Sequence, residues 1–253
     1  MTLDISSLFY LCGYTLIGRL CIKGEIQNKI SMIIATKPLL MPCLIQVIRP
    51  VRKKYSNDKD HSKGLCLLSI GLVFAFFGDI FLLPCSDDKE VSEEGFILGL
   101  LSFLIMQIIY INIFNSVNGI GIVSKNRLLV IPYLLLYIGV NYIINPYVDD
   151  LFVPVLVYSA CLIYMAICSL NLIGKIPFQY ALTITIGSLV FAISDAIIAF
   201  QKFKLIESSS LAQGILLCSS FINFSNHYYV GAIMFTYIIA QLLIVLGFTL
   251  HRD

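Results

Sequence analysis

Residues 65–83 read LCLLSIGLVFAFFGDIFLL, a run of apolar and small residues in which Asp79 is the only formal charge. About 20 mainly apolar residues cross a bilayer as a helix. The run is continuous rather than alternating, and it is about twice as long as a membrane strand. Working outward, seven more runs have the same character: Ile5 to Ile22, Ile30 to Ile48, Gly95 to Phe114, Leu128 to Ile144, Leu151 to Ile173, Tyr180 to Phe200 and Tyr228 to Leu250. The expected fold is all-α: a polytopic transmembrane helix bundle of about eight spans. Residues 1–253 form a single integral membrane domain in this reading. A partly apolar insertion at 204–227, too broken to span, reads as interfacial or re-entrant.

Composition agrees. Hydrophobic residues make up 58% of the chain and charged residues 13%, against roughly 45–50% and about 25% in soluble domains. That excludes a soluble enzyme and a disordered chain. A net charge of +2 without basic runs gives no reason to expect a nucleic-acid partner. No pair of cysteines forms C-x-x-C, so the thiols read as small buried hydrophobes. Asp4 precedes the first apolar run and no Lys or Arg does, so that run reads as a retained helix rather than a signal peptide.

Orientation follows from Lys and Arg in the connections. One face collects Arg49, Arg52, Lys53, Lys54, Lys59, Lys63, Lys125, Arg127, Lys175 and Arg252; the other has fewer cations and the acidic stretch Asp87 to Glu94. The basic face, and both termini with it, is expected to be cytoplasmic. Its Arg49 to Lys63 loop is suited to contact anionic lipid headgroups.

Three formal charges fall well inside the runs: Lys37, Asp79 and Asp195. A charged residue at the centre of a membrane helix costs about 2.5–3.5 kcal/mol on insertion scales, so such residues usually face a bundle interior and serve a function. Counted along the runs, all three lie in the non-cytoplasmic half, where they can form one partly neutralised cluster. The stretches 71–82, GLVFAFFGDIFL, and 187–198, GSLVFAISDAII, share a Gly eight residues before the Asp and a small residue, Gly78 or Ser194, just before it. They read equally as a diverged parallel repeat or as chance likeness. Pro38 and Pro42 place a kink beside Lys37. Gln107, Ser194, Thr236, Tyr237 and Gln241 add polar groups inside the spans. His61, His227 and His251 lie outside the spans or at their edges, and no thiolate cluster is present, so neither a metal site nor a cofactor is expected.

The order of short motifs resembles the YhhN family of membrane proteins. Thr36-Lys37-Pro38-Leu39 resembles its K-P motif and Gly78-Asp79 its G-D motif. Gly99-Leu100, Phe103 and Tyr110 are similar to its fourth helix. Pro154-Val155, Tyr158 and Met165 are similar to its sixth, and Gly187, Phe191, Ser194-Asp195, Ala199 and Phe203 to its seventh. Thr236-Tyr237 and Ala240-Gln241-Leu242-Leu243 resemble its ending. The resemblance covers Ala35 to Leu246. One departure stands out: Gln107 occupies a position where many members carry His.

The resemblance implies a lysoplasmalogenase-type ether hydrolase. Its substrate would be a single-chain ether phospholipid taken from the membrane lipids, its products a fatty aldehyde and glycerophosphocholine or glycerophosphoethanolamine. Asp79, Asp195 and Lys37 would be catalytic. Tyr237, Gln107, Tyr110, Ser194 and Gln241 would bind substrate. The acid and base roles fit the two aspartates either way round; we take Asp195 as acid and Asp79 as base. A eukaryotic source would put the protein in the endoplasmic reticulum. The same buried charges also suit a transporter or proton-coupled carrier, or a lipid-binding membrane protein without turnover.

Overall fold

The computed structural model describes residues 4–84, 91–148, 151–203 and 226–251. Eight helices in it are long and apolar enough to cross a membrane. They are α1 (Ile5–Ile26), α2 (Ile30–Lys54), α3 (Lys59–Phe81), α4 (Glu93–Ser116), α5 (Arg127–Tyr147), α6 (Phe152–Leu170), α7 (Phe178–Lys202) and α8 (Asn226–Leu250). The expected all-α polytopic bundle is the fold observed, and the protein is an integral, multi-pass membrane protein. Most of the 204–227 insertion lies outside the described residues.

Most helices overrun their apolar runs because local chemistry satisfies their ends. The Asp58 side chain accepts from the His61 amide and starts α3 six residues before Leu65. Ser92 accepts from the Gly95 amide at the start of α4, followed by Glu93 and Glu94 in the first turn. Such caps hold orphan amides, and acidic residues suit the positive end of the helix dipole. Between α1 and α2, Asn28 takes a left-handed backbone, φ 57°, which lets the chain reverse within a few residues. In α2 the regular helix gives way to a 3₁₀ turn at Lys37–Leu39. Pro38 lacks an amide donor there, so the proline beside Lys37 marks a change of helix type.

In order of contact the helices run α1, α2, α3, α4, α6, α7, α8 and back to α1, while α8 also meets α2 and α3. One core cluster draws on seven helices, from Tyr14 to Phe248. α5 stands outside it. Its Tyr133 and Ile144 belong to two smaller clusters shared with α6, and Leu128, Leu135, Ile138 and Tyr142 are exposed. An exposed apolar helix flank suits hydrocarbon rather than water.

Small residues set how closely the helices approach. A Cβ on Gly71 would lie 2.7 Å from Tyr110 Cε1, and one on Gly78 would lie 2.6 Å from Phe103 Cε2. α3 and α4 therefore pack with rings of one over bare backbone of the other. A Cβ on Gly187 would lie 3.0 Å from the carbonyl oxygen of Ala240, so α7 and α8 meet almost backbone to backbone.

At the end of α2 away from Lys37, a cavity of about 560 Å³ is lined by Arg49, Pro50, Arg52, Lys53, Ser56 and Ser62. It is the basic face expected to be cytoplasmic.

Candidate active site

Two carboxylates sit inside the bundle, and each receives a tyrosine hydroxyl from another helix. Asp79, on the last turn of α3, is 2% exposed. Tyr237 of α8 donates to its Oδ2 at 3.0 Å. Lys37, buried in the 3₁₀ turn of α2, is the cation that acts on this carboxylate. Asp195, on α7, is half-buried, and Tyr158 of α6 donates to its Oδ2.

The three intramembrane charges are therefore organised as two centres rather than one cluster. Lys37, Asp79 and Tyr237 form the first; Asp195 and Tyr158 form the second. Aromatic rings bridge them. Phe103 lies edge-to-face on Tyr237 at 6.0 Å and 6.3 Å from Phe191, one turn before Asp195. Phe191 and Tyr237 are 6.0 Å apart. The arrangement is an aromatic wall with a polar group on either side of it.

The small residue before each Asp has two different explanations. Gly78 leaves room for the Phe103 ring. Ser194 donates to the backbone carbonyl of Ile233 at 3.1 Å and holds α7 to α8. The helix ends also differ. Asp79 lies two residues before the end of α3, whereas α7 continues seven residues past Asp195 to Lys202, whose ammonium sits 5.1 Å over the Phe96 ring.

The other predicted binding residues fall into two groups. Tyr110 donates to Gln241 Oε1 at 2.9 Å, and Gln241 Nε2 approaches Met106 Sδ at 3.3 Å. With Ser194, these side chains are engaged in joining helices. Gln107 differs: it is fully buried, and neither its Oε1 nor its Nε2 has a hydrogen-bond partner. The Tyr158 hydroxyl that serves Asp195 is the group this amide acts on, without the alignment of a regular hydrogen bond. Leaving a buried polar group unmet costs about 1–3 kcal/mol, and native proteins leave few of them. Ser188 Oγ, on α7, is likewise buried without a partner.

Sequence reasoning did not single out α1. Tyr14 and Cys21 are buried there, and so is Glu25, which falls beyond the apolar run. Tyr14 donates to the carbonyl of Ile238 at 2.8 Å, and Asp79 is among its charged neighbours. Cys21 has Thr36, Lys37, Glu25 and Asp79 around its thiol. With Gly18, these residues are spaced 14, 18, 21, 25, one face of a helix, and that spacing was the available signal. Tyr158 was visible as a motif residue but carried no role.

A groove of about 400 Å³ opens between α2, the end of α3 and the start of α4. Ile34, Ile80, Phe81 and Leu98 form its apolar walls, with Ser92 and Glu94 among its polar lining.

Chemically, the first centre pairs a carboxylate with a cation and a phenol, and the second pairs a carboxylate with a phenol beside an unmet amide. Such pairs can hold one carboxyl as a proton donor and the other as an acceptor. Among known proteins, residues 32–248 match the YhhN family. Neither the curated proteins nor the solved structures give a match.

Proposed function

The chain belongs to the YhhN family, and from that premise we propose that it is a lysoplasmalogenase-type hydrolase that cleaves the vinyl ether bond of single-chain ether phospholipids. The observation that carries this reading is the pair of intramembrane carboxylates, each hydrogen-bonded by a tyrosine from another helix.

An enol ether hydrolyses by protonation of its β-carbon. The oxocarbenium-like carbon so formed takes up water, and the hemiacetal collapses to a fatty aldehyde and a glycerol hydroxyl. One proton enters at carbon, water supplies the oxygen of the aldehyde, and the water protons return to the base and the leaving oxygen. The steps need an acid, a base and negative charge near the cation, which two carboxylates in separate settings supply, as in glycoside hydrolysis. In this scheme Asp195 with Tyr158 delivers the proton. Asp79 guides the water, with Lys37 as its counter-charge and Tyr237 fixing its orientation. The apolar groove at Ile34, Ile80, Phe81 and Leu98 would seat the hydrocarbon chain.

The test is aldehyde release by the purified protein from a lysoplasmenyl lipid, run beside its ester-linked analogue. Release from the vinyl ether alone is expected. No release from either, together with lipid-driven or proton-driven flux into sealed vesicles, would replace the hydrolase by a carrier.

A further inference from the structure

The cavity at the basic end of α2 has no part in the chemistry above: Arg52 lies about 22 Å along the helix from Lys37 at the rise of an α-helix. Its lining draws on two helices. Arg49, Arg52, Lys53 and, just beyond the helix end, Ser56 are spaced as one helix face, and Ser62 completes the lining from the start of α3. Three cations share this hollow and no carboxylate lines it. The Asp58 side chain, in the intervening turn, is engaged with the His61 amide. Like charges three and four residues apart on a helix repel. The negative end of the α2 dipole offsets part of that repulsion, and the bias of Lys and Arg toward one membrane face explains how many cations are here. Neither explains why these three converge. Lys54, at the next position, obeys the same rules and lies over the Tyr55 ring, 4.9 Å from its centroid. Lys59 and Lys63 also lie outside the lining.

Three cations and two hydroxyls suit a group with several anionic oxygens. Arg49 and Arg52 offer planar forks that match phosphate oxygens in pairs, Lys53 adds a point charge, and Ser56 and Ser62 add hydroxyl donors. A carboxylate, or the phosphodiester of a common headgroup, has two free oxygens and a single charge. A phosphomonoester has three free oxygens and a charge of about −1.5 to −2 near pH 7, and it uses the whole set. Independently of the hydrolase reading, we propose that this cavity is a binding site for a phosphomonoester, carried on an anionic lipid headgroup or on a soluble molecule. A basic loop attracted to anionic lipid in general would not tell monoester from diester; this cavity does. At about 560 Å³ it holds more than a phosphate group alone, and basic clusters flanking a membrane helix meet lipid headgroups. The helices that meet at the cavity, α2 and α3, carry Lys37 and Asp79 away from it. A bound anion therefore ties together the two elements that supply the charges of the first centre.

The experiment is a calorimetric titration of the full-length protein in an uncharged detergent. The probes are dioctanoyl phosphatidic acid, a monoester, dioctanoyl phosphatidylglycerol, a diester, and glycerol phosphate as the soluble monoester. Phosphatidic acid should bind at least about tenfold more tightly than phosphatidylglycerol. Arg49→Gln combined with Arg52→Gln should weaken phosphatidic acid by at least about tenfold; both side chains are exposed, so the core is untouched. Lys54→Gln combined with Lys63→Gln removes the same charge from the same face and should change that affinity by less than about threefold. Glycerol phosphate binding as tightly as the lipid identifies a soluble ligand, and binding of the lipid without it identifies a headgroup; either result supports the site. Equal affinity for the two lipids, equal losses in the two glutamine pairs, or no binding of any probe overturns the proposal. The first two would leave a diffuse basic surface, the third a hollow without a ligand. No probe carries a vinyl ether, so these outcomes stand apart from whether the protein releases aldehyde.

Discussion

The hydroxyl of Tyr237 donates to Oδ2 of Asp79 across 3.0 Å, joining the last helix of the chain to the third. The same ring lies edge-to-face on Phe103, which itself rests over Gly78. A single side chain thus orients the Asp79 carboxylate and closes the aromatic wall beside it. Packing and chemistry at this residue are separable, because the ring does the first and the hydroxyl the second.

Tyr237→Phe should therefore keep the fold and lose rate. A hydrogen bond to a charged group contributes about 1.5–3 kcal/mol, which corresponds to roughly 10- to 100-fold in kcat/KM if the bond is held in the transition state. Tyr158→Phe should lose a comparable amount at the Asp195 centre. Aldehyde release read against thermal unfolding checks both; unchanged turnover in either variant removes that tyrosine from the mechanism.

Gly187→Ala should destabilise the bundle. Its new Cβ would meet the backbone of α8 at 3.0 Å, at Ala240 oxygen and Ile244 nitrogen, and backbone cannot rotate away. Overpacking of this kind costs about 1–3 kcal/mol. Gly139→Ala, on α5, is the control: nothing lies within 4 Å of its Cβ. It should be neutral, or stabilising by up to about 1 kcal/mol through helix propensity. Unfolding midpoints in one detergent separate the two; equal midpoints would contradict the close approach of α7 and α8.

The spans were legible because hydrocarbon demands long apolar runs, and Lys37, Asp79 and Asp195 because a charge inside a membrane is rare; which carboxylate Lys37 faces was not. What was not legible was pairing between helices. Apolar periodicity is weak in a chain greasy on all sides, so it did not identify α8 as the helix that also meets α2 and α3, or α5 as the peripheral one. Tyr158 and Asp195 are 37 residues apart on adjacent helices, and no local pattern marks that contact. Glu25 was lost differently: the apolar run stops at Ile22 while the helix continues to Ile26.

Topology gives a further prediction. Tags on the two termini should both report from the cytoplasmic side, the side of Arg49, Arg52 and Lys53, as the balance of Lys and Arg requires. Termini on opposite sides would place an additional crossing within residues 204–225.

Asp79→Asn and Asp195→Asn should each lower turnover by at least about 10²-fold, the lower range for loss of a general acid or base. A structural ion pair is the competing account of Asp79, and Lys37 allows the two to be told apart. Lys37 and Asp79 are both buried. Removing one member of a buried pair costs about 3–5 kcal/mol, since the other charge is left uncompensated, whereas replacing both is often neutral. Asp79→Asn and Lys37→Met should therefore each lower the unfolding midpoint, and the double variant should recover much of it. Asn retains an oxygen that can accept from Tyr237, so the local hydrogen bond to α8 survives. In the catalytic account the double variant is stable and still inactive. In the structural account activity returns together with stability. Recovery of turnover in the double variant to within about tenfold of the native protein, well above that 10²-fold loss, would remove Asp79 from the chemistry and leave Asp195 to be explained alone.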